Sequence, residues 1–333
     1  MKKALVLGAT GCIGEYLVPE LAKKGYMVDG VALYPKEDTE YVRYLKVDGL
    51  DIDVIRDLVT KTHYDTVIDL MLYIGLETFK KRYEIFLKNT DHYVFFSSYR
   101  VYADSETPIK EESDRLYDVV SDPDFIKDCD IEYALYKAQQ EDLLRSSPFE
   151  NFTILRPTMV YASRRYQLVG LEAPVFLKRA AQGKKVILPE CARNICAALI
   201  WSGDAAKLIS GIVNNQKAFG ETYTICNGEK NTWEDIAKLY KEYANLDYEF
   251  IDTNVYMSLF KEDLPEYRKH IYDRFFNRIT DPAKILEATG FKKENFTFLK
   301  DGLKKELATI PKDFLWWEHP LDKKMDELIE NNR

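Results

Sequence analysis

Tyr133 and Lys137 stand four residues apart in Tyr133-Ala134-Leu135-Tyr136-Lys137, so on a helix they share one face. Of the 23 tyrosines, only Tyr133 is followed by lysine at that distance. A free phenol, with a pKa of about 10, is a poor base at neutral pH. An adjoining ammonium favours the phenolate and makes the phenol a usable acid and base. Ser98 closes the run Phe95-Phe96-Ser97-Ser98 and can hydrogen-bond the same substrate oxygen. The chemistry these residue types support is proton transfer at a substrate oxygen. Read singly, Ser98 is a strand-end hydroxyl, and Tyr133 with Lys137 an exposed helix pair.

A second cluster lies near the start of the chain. The apolar run Ala4-Leu5-Val6-Leu7 meets Gly8-Ala9-Thr10-Gly11-Cys12-Ile13-Gly14 and then a stretch in which Ile13, Leu17, Val18 and Leu21 fall on one helical stripe. Pro19 sits inside that stripe as a candidate kink, and Gly25 stands where a C-terminal cap belongs. Glycines between a strand and a helix let the backbone approach a pyrophosphate. The N–H groups and positive end of the helix then hold its charge. The context of strand, glycine turn and amphipathic helix is what gives the motif its weight; the alternative is an ordinary turn.

The elements that must position these residues alternate along the chain. Strands are expected at 4–7, 26–33, 43–48, 66–70, 92–98 and 152–156, with helices between them, the last over 131–145. Such alternation argues for an α/β fold with a doubly wound parallel sheet. Beyond residue 160 the pattern loosens into helices near 173–182 and 204–213, strands at 186–188 and 222–226, and a charged, mostly helical tail.

At these residues the chain resembles the extended short-chain dehydrogenase/reductase superfamily of NAD(P)-dependent epimerases and dehydratases. The glycine spacing, Phe95-Phe96-Ser97-Ser98-Tyr99-Arg100-Val101-Tyr102, the Tyr133 to Lys137 helix with trailing Glu141, and Leu155-Arg156-Pro157-Thr158-Met159-Val160-Tyr161 carry the likeness, as does Asn231-Thr232-Trp233-Glu234-Asp235-Ile236-Ala237. It covers residues 1 to about 240. The resemblance implies a Rossmann domain over 1–165, with 195–226 returning to it, and a smaller, mostly helical substrate domain over 166–194 and 227–333. It also implies a Ser98–Tyr133–Lys137 triad that moves a proton while a hydride passes to or from nicotinamide. Gly8, Thr10, Gly11, Cys12, Ile13, Gly14, Asp48, Leu70, Pro157, Met159 and Val160 then line the cofactor beside Tyr133 and Lys137. The activity implied is that of an oxidoreductase or epimerase on a small, sugar-like molecule.

The chain departs from that pattern in three places. The end of the second strand, Ala32-Leu33-Tyr34-Pro35-Lys36, carries no acid for a ribose 2′-hydroxyl. Lys36 can pair with a 2′-phosphate, which favours NADP over NAD; the alternative is a solvated loop lysine. Met159 stands where nucleotide-sugar enzymes have asparagine. Asp69-Leu70-Met71-Leu72-Tyr73 replaces a His-Leu-Ala-Ala segment, and its large side chains would crowd the cofactor unless the loop runs differently. These features resemble an atypical subgroup related to chloroplast stem-loop RNA-binding proteins, so the alternative function is a non-catalytic NAD(P) sensor or RNA binder. Tyr99, Tyr102, Tyr117, Tyr161 and Tyr166 are candidate stacking surfaces or half-buried rim residues, and Arg164 and Arg165 a candidate anion grip.

Composition narrows the classes further. The 333 residues are 46% apolar and 31% charged with net charge −8, which excludes a fibrous or disordered chain and opposes a dedicated nucleic-acid partner. Five scattered cysteines and four separated histidines supply neither a metal site nor a disulfide framework, as expected for a cytoplasmic protein. The apolar run at the start is too short for a signal or a membrane span. Leu76, Phe79, Tyr83 and Phe86 form a stripe that either packs on the sheet or, as in related proteins, pairs helices 75–88 and 131–146 in a homodimer.

Overall fold

A computed structural model describes every residue except Ser163, Arg164, Lys312, Asn332 and Arg333. The chain divides into two compact units, Met1–Val160 with Ile200–Asn227 and Asp281–Phe296, and Tyr161–Leu199 with Gly228–Thr280 and Thr297–Arg333. In the first, apolar runs form seven strands: β1 (Lys3–Leu7), β2 (Met27–Ala32), β3 (Val42–Lys46), β4 (Thr66–Asp69), β5 (Tyr93–Phe96), β6 (Phe152–Pro157) and β7 (Thr222–Ile225). They make one sheet in the order β3-β2-β1-β4-β5-β6-β7, and the pairings are parallel. This is the Rossmann order, with its reversal between β1 and β4.

Strand alternation divides the core into two layers. Ala4, Val6, Ile68, Val94 and Leu155 face α1 (Gly14–Lys23) and α6 (Ser202–Ile212) on one side. Leu5, Leu7, Val67, Tyr93, Phe95 and Ile154 face α2 (Ile52–Lys61), α3 (Leu76–Lys80) and α4 (Tyr83–Asn89) on the other. Both faces are therefore buried, which is why the strands are nearly all apolar. Helix α5 (Tyr133–Arg145) belongs to the second layer through Leu144, and α7 (Ala283–Thr289) to the first through Ile285.

Helix α1 runs unbroken through Pro19. The 76–86 stripe is split into α3 and α4, where Arg82 turns inward and donates to the carbonyl of Gly49 at 3.1 Å. Phe79 and Phe86 are fully buried on the sheet, with Phe79 against Phe95 at 4.7 Å between ring centroids. These two side chains serve the core rather than an exposed face.

The second unit is mostly helical, including Ala173–Ala181, Trp233–Ala244, Leu299–Leu307 and Pro320–Asn331, with a parallel strand pair Val186–Pro189 and Tyr248–Ile251. Thr232 and Asp235 cap the Trp233–Ala244 helix reciprocally. Arg179 ties the terminal helix in place through Asp322 and Asp326 at 2.6 and 2.8 Å. No helix among the described residues is long and apolar enough to cross a membrane.

The turn after β1 depends on close backbone approach. Gly8 has φ of 80°, and a Cβ on Gly14 would lie 2.3 Å from the Gly8 carbonyl oxygen and 2.7 Å from the Ala9 carbonyl carbon. Those are backbone atoms and cannot step aside. Replacing Gly14 with alanine is expected to cost about 1–3 kcal/mol in urea unfolding, as overpacking does. It should also abolish dinucleotide binding in calorimetry; unchanged stability would show that the turn is looser than this geometry.

Candidate active site

The sheet's C-terminal edge collects the residues singled out by type and spacing. At β1, the amides of Gly8 and Ala9 both donate to the Val31 carbonyl, and Gly11 donates back to Gly8 at 3.0 Å. Helix α1 then starts with Ile13 at its N-cap and no side-chain cap. Its positive end is thus left to backbone groups of the turn, with Thr10, Gly11 and Cys12 along the loop. Cys12 Sγ lies 3.0 Å from Ser202 Oγ of α6. An uncapped helix start above a glycine turn too tight for a side chain at Gly14 fits a dinucleotide pyrophosphate.

At β5, Ser98 is buried and its hydroxyl accepts from the Arg100 amide at 3.2 Å, which opens the short turn Tyr99–Val101. The Arg100 guanidinium lies over the Tyr133 ring, 4.9 Å from its centroid. Tyr133 is half-buried at the first position of α5, edge-on to Tyr136 at 5.5 Å. One turn on, Lys137 is only 2% exposed and its Nζ donates to the Phe96 carbonyl at 2.7 Å. Burial lowers this ammonium to about 8, against the opposing pull of Asp69 and Glu141. Serine, phenol and ammonium are therefore drawn to one strand end, and the pair is not a solvated helix face.

A further turn along α5, Glu141 is fully buried and receives both arms of Arg156 from β6, at 2.9 and 2.6 Å, plus the Ser97 hydroxyl at 2.5 Å. Burial alone would raise its carboxyl; the Arg156 charge and hydrogen bonds, with Arg145 and Ser97, instead hold it at about 2. The Leu-Arg-Pro segment thus does mechanical work: its arginine clamps the helix that carries Tyr133 and Lys137. That partnership joins residues 15 apart on different elements, and neither local pattern shows it.

Lys36, Asp48, Leu70, Pro157, Met159 and Val160 stand at or beyond strand ends of the same edge. Lys36 is exposed and pairs with Glu15 of α1 at 2.5 Å, which brings it beside the glycine turn. Asp48 is exposed after β3, its carboxylate capping the Leu50 amide at 2.8 Å. Leu70 and Met71 pack beside Gly8, while Leu72 points outward and Tyr73 folds beneath, fully buried. Two of the segment's large side chains, Leu70 and Met71, therefore stand against the glycine turn itself. Pro157 ends β6 and Met159 and Val160 follow it, where the Thr158 amide donates to the Ile225 carbonyl of β7 at 3.1 Å. Tyr99, Tyr102, Tyr161 and Tyr166 are buried rather than offered for stacking, and only Tyr117 of that group is half-exposed. Arg165 is exposed; Arg164 lies outside the described residues. No cluster of metal-ligating side chains occurs among the described residues.

A Rossmann sheet with an uncapped glycine turn at its reversal and a Tyr-Lys helix against the neighbouring strand end defines a dinucleotide-dependent α/β enzyme. The sequence model of the NAD dependent epimerase/dehydratase family matches residues 4–226, and the chain belongs to that family. It is thus an NAD(P)-dependent enzyme of the short-chain dehydrogenase/reductase type. Over 71% of the chain it is 24% identical to UDP-N-acetyl-alpha-D-glucosaminuronate decarboxylase of Bacillus cytotoxicus, spanning 78% of that protein. It is 26% identical, again over 71% of its length, to the chloroplast stem-loop binding protein of 41 kDa b of Arabidopsis thaliana, spanning 62% of it. Among solved structures, the epimerase Mth375 of Methanothermobacter thermautotrophicus superposes with TM-score 0.70 at 16% identity, over 99% of this chain and 94% of that one. The dTDP-glucose 4,6-dehydratase of Bacillus anthracis in complex with NAD gives TM-score 0.70 at 15% identity, over 96% and 100%.

Removing one partner of the buried Glu141–Arg156 pair leaves the other charge uncompensated. Glu141→Ala is expected to cost about 3–5 kcal/mol in urea unfolding at neutral pH. The folded carboxyl lies at about 2, below the ordinary 4.5, so its stabilisation is complete above pH 4.5 and is lost as pH falls towards 2. The gap between wild type and variant should therefore close over that window; a pH-independent gap would contradict the ion pair.

Proposed function

We propose that Ser98, Tyr133 and Lys137 carry hydride-coupled proton transfer at a hydroxyl- or keto-bearing carbon of a sugar-like small molecule. The observation that carries this reading is the bond from the buried Lys137 ammonium to Phe96, two residues before Ser98, on the helix face that bears Tyr133. Tyr133 takes the proton of the substrate hydroxyl, or returns one to a keto oxygen. Ser98 hydrogen-bonds that same oxygen and orients it. Lys137 supplies positive charge to the charge that develops on the phenol oxygen and reaches towards the ribose. The Arg100 guanidinium over the Tyr133 ring adds a second cation. When bound, nicotinamide supplies the hydride acceptor or donor.

The glycine turn 8–14 and the edge formed by Leu70, Pro157, Met159 and Val160 hold the dinucleotide in this reading. The cofactor reading favours NADP. No carboxylate stands at residues 32–35, and the Lys36 ammonium lies next to the first turn of α1 with protons left to donate beyond its bond to Glu15. Five free cysteines fit a reducing cytosol. The relatives named for UDP- and dTDP-sugars support nucleotide sugars as the first compounds to screen. A homodimer on α3–α5 would use their outward residues, since Phe79 and Phe86 are buried.

In a screen of such sugars read at the reduced-nicotinamide band, Tyr133→Phe is expected to lower kcat by about 10²–10⁴-fold with dinucleotide Kd unchanged. Turnover equal to wild type would remove Tyr133 from the chemistry. For the cofactor, calorimetric titration of wild type should give tighter binding of NADPH than of NADH, a preference that Lys36→Ala erases. Preference for NADH in the wild type would overturn the NADP assignment.

A further inference from the structure

Asp69 ends β4, and its carboxylate is fully buried. Three groups donate to it: the Met71 amide at 3.1 Å, the Tyr73 hydroxyl at 3.0 and 2.9 Å from its two oxygens, and the Tyr93 hydroxyl at 2.8 Å. None of these donors is charged. A carboxylate held only by neutral donors in the interior is costly unless a counter-charge stands near it.

The position of Lys137 supplies that charge. Asp69 pairs in register with Phe95 on β5, and side chains at paired positions emerge on the same face of the sheet. Over that Phe95 ring, 4.7 Å from its centroid, lies Lys137 Nζ. The other groups facing this pair are accounted for. Glu141, the second carboxylate acting on Lys137, is clamped by Arg156 and Arg145. Arg82 lies over the Tyr73 ring at 5.2 Å and donates to the Gly49 carbonyl. Tyr73 and Tyr93 stay protonated, since burial raises both phenols well above the ordinary range, with Asp69 adding to it. Burial also raises the Asp69 carboxyl, opposed by the three hydrogen bonds and by Lys137.

We propose that Asp69 is a positioning residue for this reaction: its carboxylate is the buried counter-charge that keeps Lys137 an ammonium beneath Tyr133. The proposal rests on the role given to Tyr133 and Lys137 above. The same carboxylate draws Tyr73 under the sheet edge, and so sets the course of the Leu70–Met71 segment beside Gly8.

The test is the pH dependence of NADPH and NADH affinity in the full chain, for wild type, Asp69→Asn and Tyr93→Phe. Wild-type affinity should fall through a midpoint near 8 as Lys137 loses its proton. In Asp69→Asn that midpoint should drop by about one pH unit, the effect of removing a nearby opposite charge. Tyr93→Phe keeps the carboxylate and should keep the wild-type midpoint. Equal weakening in both variants with no movement of the midpoint would reduce Asp69 to a structural role and overturn the proposal. Carboxyl carbon-13 NMR on the wild type decides independently of folding of the variants and of the Tyr133 reading: an ionised Asp69 at neutral pH supports the pair, and a protonated one overturns it. Loss of turnover dependence on Tyr133, with Asp69 ionised, would instead count against the reading of the triad.

Discussion

A single buried ammonium ties the site together. Lys137 gives up hydration to donate to the Phe96 carbonyl, and that bond fixes the start of α5 against the tip of β5. Isolated, such a charge would cost several kcal/mol of desolvation. Asp69 and Glu141 offset part of it, and the remainder shows in an ammonium weakened to about 8. A lysine poised there holds its charge at neutral pH yet sits close to losing it, which suits the role proposed for it beside Tyr133.

The rest of α5 is held by a second charged contact of a different kind. Glu141 is satisfied on both oxygens by a bidentate arginine, so it is locked and proton-free. One turn separates a titratable anchor from a fixed one. The fixed anchor sets where the helix lies, and the titratable one is left to act. On the neighbouring strands, Gly8 and Gly14 do the equivalent work for the turn by removing side chains from a space only backbone can share.

Much of this was legible from residue order. Continuous apolar runs marked the strands because both sheet faces are buried, period-3.6 stripes marked the helices, and the i, i+4 spacing alone placed Tyr133 above Lys137. Asp69 escaped notice as a charge because its partners, Tyr73, Tyr93 and Lys137, come together only when β4, β5 and α5 are assembled. The break between α3 and α4 was invisible for the same reason: Arg82 turns in for a carbonyl 33 residues earlier. The tyrosines near the cleft misled because their ring size suits a rim or a core equally. Tyr102 shows which won, with its hydroxyl 2.6 Å from Thr224 Oγ1 and Arg156 over its ring.

The most direct measurement is a crystal structure of the chain with oxidised dinucleotide and a nucleotide sugar bound. The account requires the Tyr133 hydroxyl within hydrogen-bond reach of the sugar oxygen on the carbon facing nicotinamide, with Lys137 Nζ touching the ribose. A Tyr133 hydroxyl turned to bulk water, or a dinucleotide seated away from the turn at Gly8–Gly14, would contradict it.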